Sequence, residues 1–187
     1  MQRVAHDEDD LPRAPVALRI GLFLLVYGGL HWAYQSLRSS AFDLWFIHVL
    51  TVSPAAALLD ALWPADLVRA IGPRLAWPGG ALTLLAGCDG FEVMSLFVAA
   101  VLVADLSLRR GLVALAVGCT AVWALNQTRI VALYWAFRYE REWFDPIHTV
   151  WGPVLLIATV AFLYARAAAV PASTYRCDCR RRPTSTT

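Results

Sequence analysis

Three residues with the chemistry of nucleophilic catalysis stand far apart in this chain: Cys88, Arg129 and His148. A thiolate attacks carbonyl carbon readily, and a histidine beside it takes the thiol proton and returns it to the leaving group. An arginine adds a charge that is never lost and a rigid fork of donors, suited to holding a thiolate or a developing oxyanion. Each also has a plainer reading. Arg129, at the end of an apolar helical run, could snorkel to the head groups. His148, just after Asp145-Pro146, could be an interfacial polar residue at a helix start. Asp89 and Glu92 follow Cys88 with the spacing of an N-cap and its capping box. That would set Cys88 just off a helix N-terminus, where the dipole favours a thiolate and the Asp89 charge opposes it. Asn126, one turn before Arg129, would orient the arginine or line a substrate groove.

The residues must be positioned by a chain of unusual composition. It has 187 residues, 59% apolar and only 16% charged, with a net charge of +2; the mean hydropathy is +0.55. Soluble domains are roughly 45–50% apolar and about 25% charged. Disorder, a nucleic-acid-binding arm and a disulfide-stapled secreted domain are therefore excluded as expectations. An all-α integral membrane protein is expected, a polytopic helical bundle of four to five spans. All 16 basic residues are arginine, so no lysine Schiff base or phosphate-loop lysine exists. Cys119 lies in an apolar run, and Cys177 and Cys179 lie in a polar tail, a pattern of neither a disulfide framework nor a zinc site. The Cys177-x-Cys179 pair beside Arg180-Arg181-Arg182 could bind metal or be acylated, but reads best as a cytoplasmic charge cluster. HExxH, GxSxG and a phosphate-binding glycine loop are absent.

Along the chain, a polar tail (1–15) precedes an uncleaved signal-anchor helix over 16–34. Residues 41–63 are apolar but carry Asp43, His48, Pro54 and Asp60, and are expected to lie at the interface or insert partly. Residues 67–71 and 81–85 look strand-like around Pro78-Gly79-Gly80, giving a small extracytoplasmic hairpin before Cys88. Helical spans follow at 91–106, at 111–125 continuing toward 137, and at 147–168, the last interrupted by Gly152-Pro153. A basic tail (170–187) ends the chain, so the membrane domain is 16–169. With 41–63 not crossing, ten arginines fall inside and six outside (Arg38, Arg69, Arg74, Arg129, Arg138, Arg141). If that segment crosses, the split is eight and eight, so the positive-inside rule favours four spans. Tryptophans such as Trp63, Trp77, Trp143 and Trp151 flank the apolar runs as an interfacial belt would.

This topology delivers Cys88, Arg129 and His148 to one plane. Gly111 to Arg129 is 18 residues, about 27 Å of helix, close to the thickness of the hydrocarbon core. His31 and His48 are rival bases, whereas His6 falls on the cytoplasmic side.

Read in order, Gly87-Cys88-Asp89-Gly90, Asn126-x-x-Arg129-Ile130 and Phe144-x-x-x-His148 resemble the exosortase/archaeosortase family over roughly residues 43–168. The resemblance implies a short-form membrane cysteine transpeptidase or protease in the cytoplasmic (inner) membrane of a bacterium. Its active site would face outward, with Cys88, Arg129 and His148 catalytic and no metal or organic cofactor. Substrates would be exported proteins ending in a sorting signal: a short motif, a transmembrane helix and a basic cluster. One residue departs from the pattern, since the position after the cysteine is often small or weakly polar and here is Asp89. Partners would then be those substrates and membrane lipid, with no nucleic acid. A second class of function stays open, a non-enzymatic membrane partner or small transport subunit using Arg129 and His148 as a polar path. A thiol redox protein would need a resolving cysteine beside Cys88, and Cys119 is about a helix length from that interface.

Overall fold

A computed structural model describes residues 15–38, 40–84 and 88–169, with Phe42 as backbone only. The tails with His6, Cys177, Cys179 and the terminal arginines, and Leu85 and Gly87 of the expected strand and motif, lie outside the described residues. The order is α1 (Val16–Leu37), α2 (Ala41–Ile47), a π-helical turn (His48–Val52), α3 (Ser53–Leu62), β1 (Arg69–Ile71), β2 (Arg74–Trp77), β3 (Gly80–Thr83), α4 (Phe91–Val103), α5 (Leu108–Tyr139), α6 (Phe144–Pro146), a second π-helical turn (Ile147–Trp151) and α7 (Gly152–Ala169).

Helices α1, α4, α5 and α7 pack into a bundle. Its core is Phe97, Val101, Val122, Leu156 and Val160. The outward faces are also apolar: Leu18, Leu24 and Leu25 on α1, Val113 and Val117 on α5, Leu155 and Phe162 on α7 are all exposed. Water would charge about 25 cal/mol for each Å² of such surface, so these faces call for an apolar surround. One end of the bundle is tied by an Arg19–Asp105 ion pair. At the other end the Tyr34 hydroxyl donates to Asp89, and the Tyr34 ring stacks on Phe91 at 4.0 Å.

Four helical segments among the described residues are long and apolar enough to cross a membrane: Val16–Leu37, Asp43–Leu62, Leu108–Tyr139 and Arg141–Ala169. This differs from expectation twice. The segment over 43–62 has a span's length and hydropathy, and α4, expected as a span, has only 13 residues. Packing reverses that order. α4 sits inside the bundle against α1, α5 and α7, whereas α3 packs on the far end of α5 and on β1.

The reason is visible at Pro54. A proline has no N–H for the carbonyl four residues earlier, which here is Leu50. That carbonyl accepts from Trp123 Nε1 at 2.7 Å and Gln127 Nε2 at 3.2 Å on α5. Thirteen residues on, Trp63 lies against the Tyr134 and Tyr139 rings. The segment thus runs parallel to the last turns of α5, away from the Arg19–Asp105 end.

The expected hairpin is a three-stranded antiparallel sheet, order β1-β2-β3, with Leu75 opposite Leu82 and Ala70. Leu75, Trp77 and Leu82 face a second core shared with Val52, Ala55, Leu59, Ile130 and Tyr134. Beside it, Tyr139 and Tyr134 donate to Asp66 Oδ2 at 2.7 and 2.8 Å. Those bonds, with a smaller contribution from Arg138, hold the Asp66 carboxyl below its usual range. A depressed carboxylate stabilises the fold above its unfolded pKa of about 3.9, and that contribution is lost as pH falls through the folded value. Amide protection factors over 63–84, with the intrinsic pH dependence of exchange divided out, should therefore fall on acidification in the native protein, and Asp66→Asn should be less protected at neutral pH and lose most of that pH dependence.

Candidate active site

The site lies at the seam between the two cores, on α5 between Val122 of one and Ile130 of the other. Asn126, Gln127 and Arg129 are buried there at 2%, 2% and 9% exposure. Polar groups are held so deep in an apolar helix only by specific partners. Asn126 Nδ2 donates to the Cys88 carbonyl at 3.0 Å, fixing the backbone that carries the thiol. The next residue but one, Gly90, has φ +77°, and a Cβ there would sit 3.0 Å from the Asn126 side chain. Glycine is required on both counts.

Gly90, not Asp89, precedes the first turn of α4, and no side chain caps it. Asp89 Oδ1 instead accepts from Phe91 N at 3.2 Å, while its other oxygen receives the Tyr34 hydroxyl. Glu92 is exposed on the first turn of α4. The expected capping box therefore does not form, because the helix begins one residue later than its spacing assumed.

His148 comes from the second π-helical turn. Gly152 N–H bonds Ile147 O rather than His148 O, and Pro153 has no N–H to offer. The His148 carbonyl left by both is taken by Arg129 Nη2 at 3.1 Å. Single π-turns of this kind recur at functional sites. The imidazole stacks on Phe144, one turn earlier, at 5.7 Å and 12°. Its Nδ1 lies 3.7 Å from Cys88 Sγ. The expected three residues are thus brought together across 60 positions of sequence. The rival histidines are engaged elsewhere: His48 Nδ1 is 3.0 Å from Gly72 O, and His31 is paired with Gln35 at 3.3 Å.

Burial pushes the Cys88 thiol up, the Arg129 charge pulls it down, and Asp89 pushes it up again. The net direction is upward, with the His148 imidazole beside the sulfur. In a background without Cys119, Cys177 and Cys179, the alkylation rate of Cys88 should have its midpoint above the roughly 8.5 of a free cysteine. Asp89→Asn should lower that midpoint and Arg129→Gln should raise it, measured by mass spectrometry against pH.

Gly152, which the sequence marks only as a helix interruption, packs against the site. A Cβ there would lie 2.4 Å from Arg129 Nε and 2.7 Å from its Cδ. The side chain of Arg129 therefore lies directly over Gly152, in space that any other residue would take. Gly152→Ala should displace the guanidinium and, through the Ile147 carbonyl 2.8 Å from the same Cβ, the turn that carries His148, and should lower any activity that depends on this site about 100-fold. Alanine is the better helix former by about 1 kcal/mol, so secondary structure by circular dichroism should be retained.

Compared with known proteins, the chain matches no family model, no curated protein and no solved structure.

Proposed function

We propose that this protein is a membrane-embedded cysteine protease or transpeptidase of exosortase type, acting on C-terminal sorting signals of exported proteins. The observation that carries the reading is the meeting of Cys88 Sγ with His148 Nδ1 at 3.7 Å, while Arg129 grips the carbonyl of that same histidine. Neither a transport path nor a structural arginine calls for the sulfur. The Arg19–Asp105 end is taken as cytoplasmic because Arg109, Arg110 and Arg166 gather there. With α1, α4, α5 and α7 as the bundle in the bilayer, Cys88 then lies at the outer face. α5, 32 residues long, is about 48 Å against a hydrocarbon core of about 30 Å. Its excess length carries α3 and the sheet outside the bilayer, above the site.

In the reaction, the Cys88 sulfur bonds to the scissile carbonyl carbon as its proton passes to His148. Arg129 stabilises the oxyanion by its fixed charge. Collapse breaks the C–N bond, the amine leaves with the proton from His148, and a thioester to Cys88 remains. Water or an amine or hydroxyl acceptor then releases it.

The test is an exported protein carrying a short motif, an apolar helix, an arginine cluster and a C-terminal tag, expressed with wild-type enzyme or variants. Release of the tagged fragment by wild type and its loss in Cys88→Ala, Arg129→Gln and His148→Ala supports the proposal. Undiminished release in Cys88→Ala overturns it.

A further inference from the structure

At the Arg19–Asp105 end, away from the cysteine, α5 and α7 flank a cavity of about 400 Å³. That lies within the range of about 300–1,000 Å³ for ligand clefts. Its chemistry is divided lengthwise. Arg109 and Arg110 from the first turn of α5 and Arg166 from the last turn of α7 stand at its mouth, and no carboxylate is among the described lining residues. Next along the helices, Val113, Ala114, Val117 and Leu163 make the wall, with Val113 and Val117 on the exposed outward face of α5. Arginine and apolar positions recur at i, i+4 and i+8 along α5, so head and wall lie on one stripe. At Gly118 a Cβ would lie 2.1 Å from two ring carbons of Phe97, so that ring packs directly on the α5 backbone and floors the groove there. No side chain can fill the groove at that point without moving the ring that floors it.

We infer that this groove seats one anionic phospholipid of the inner leaflet, its phosphate on Arg109, Arg110 and Arg166 and its chain along Val113, Val117 and Leu163. Guanidinium forks bind phosphate oxygens in pairs, and basic pockets between helices on the cytoplasmic side suit such head groups. A free phosphate would engage the arginines but make no use of the apolar length of the groove beside them. The acidic run Asp7-Glu8-Asp9-Asp10 offers charge but no apolar segment to fill it. The inference rests on the membrane reading above and is independent of the cysteine chemistry.

The test is native mass spectrometry of the full chain in detergent, titrated with phosphatidylglycerol or phosphatidylcholine, with and without inorganic phosphate. One retained phosphatidylglycerol, at least tenfold preferred over phosphatidylcholine and not displaced by millimolar phosphate, supports the inference. The triple variant R109Q/R110Q/R166Q should lose that preference. V117W, which fills the groove and keeps the arginines, should lose the retained lipid. Equal retention of both lipids, displacement by phosphate, or wild-type retention in either variant overturns it. So does retention only after Asp7 to Asp10 are neutralised, which would give the groove to the chain's own N-terminus. A chain monodisperse without detergent would overturn the membrane reading itself, whereas lost selectivity in a detergent-dependent chain overturns only this seat.

Discussion

Cys88→Ala is expected to abolish release of the C-terminal fragment, the largest effect of any single substitution in this protein. Where a nucleophile and its base act as a unit, removing either costs on the order of 10⁶-fold. His148→Ala should therefore fall nearly as far, and the double variant no further. Such non-additivity separates a catalytic pair from two residues that merely support the fold. Cys88→Ser should also be inactive, because a hydroxyl beside the same base is far less nucleophilic. Cys88 is only half-buried at the rim of the core around Ile130 and Tyr134, so the alanine variant should keep its fold. Its circular dichroism and detergent elution profile check this.

Arg129→Gln should have the next largest effect, a loss of about 10²–10³-fold, the scale of removing one preorganised oxyanion donor. The side chain is 9% exposed and its Nη2 holds the His148 carbonyl. Substitution therefore removes a charge near the thiol and loosens the turn carrying the base. The two consequences are separable. Arg129→Lys keeps a charge but not the planar fork, so it should keep the alkylation midpoint of Cys88 nearer wild type than Arg129→Gln while recovering little turnover. Kinetics of cleavage beside pH-resolved alkylation of both variants would show this split. Equal midpoints in the two variants would mean that the charge does not act on the sulfur.

Much of this arrangement can be read from the residues, because helix ends and residue chemistry are local properties. The apolar runs of α1, α5 and α7 mark themselves by length, and the common depth of cysteine, arginine and histidine follows from counting turns, although Arg129 lies within α5 rather than at its end, because the helix continues to Tyr139. Strand β2 is harder to see. Arg74-Leu75-Ala76-Trp77 is four residues long and abuts Pro78-Gly79-Gly80, so the turn signal masks an inward Leu75 and Trp77. The pairing of Asp89 with Tyr34 joins residues 55 apart, and no local pattern announces it. Without it, Asp89 looks like a helix cap.

The two prolines carry information that a helix-breaking rule discards. Pro54 and Pro153 each follow a π-helical turn, and nearby carbonyls are recruited by α5. Leu50 serves Trp123 and Gln127, and His148 serves Arg129. Gly152-Pro153 inside an apolar span is a legible signal of this kind. What it lacks is the name of the partner, which depends on how α5 and α7 pack. The helix over 91–106 is legible too, but that it stops at Val103 and is covered by α1, α5 and α7 is set by those neighbours rather than by its own composition.

The most direct measurement of the central claim is capture of the acyl intermediate. Substrate and wild-type enzyme would be quenched in acid during turnover, and peptides containing Cys88 analysed by mass. The account predicts a thioester between the Cys88 sulfur and the substrate's newly formed C-terminus, released by hydroxylamine as the hydroxamate and absent from Cys88→Ser. Cleavage that proceeds with no adduct on Cys88, and at an undiminished rate in Cys88→Ala, would contradict it.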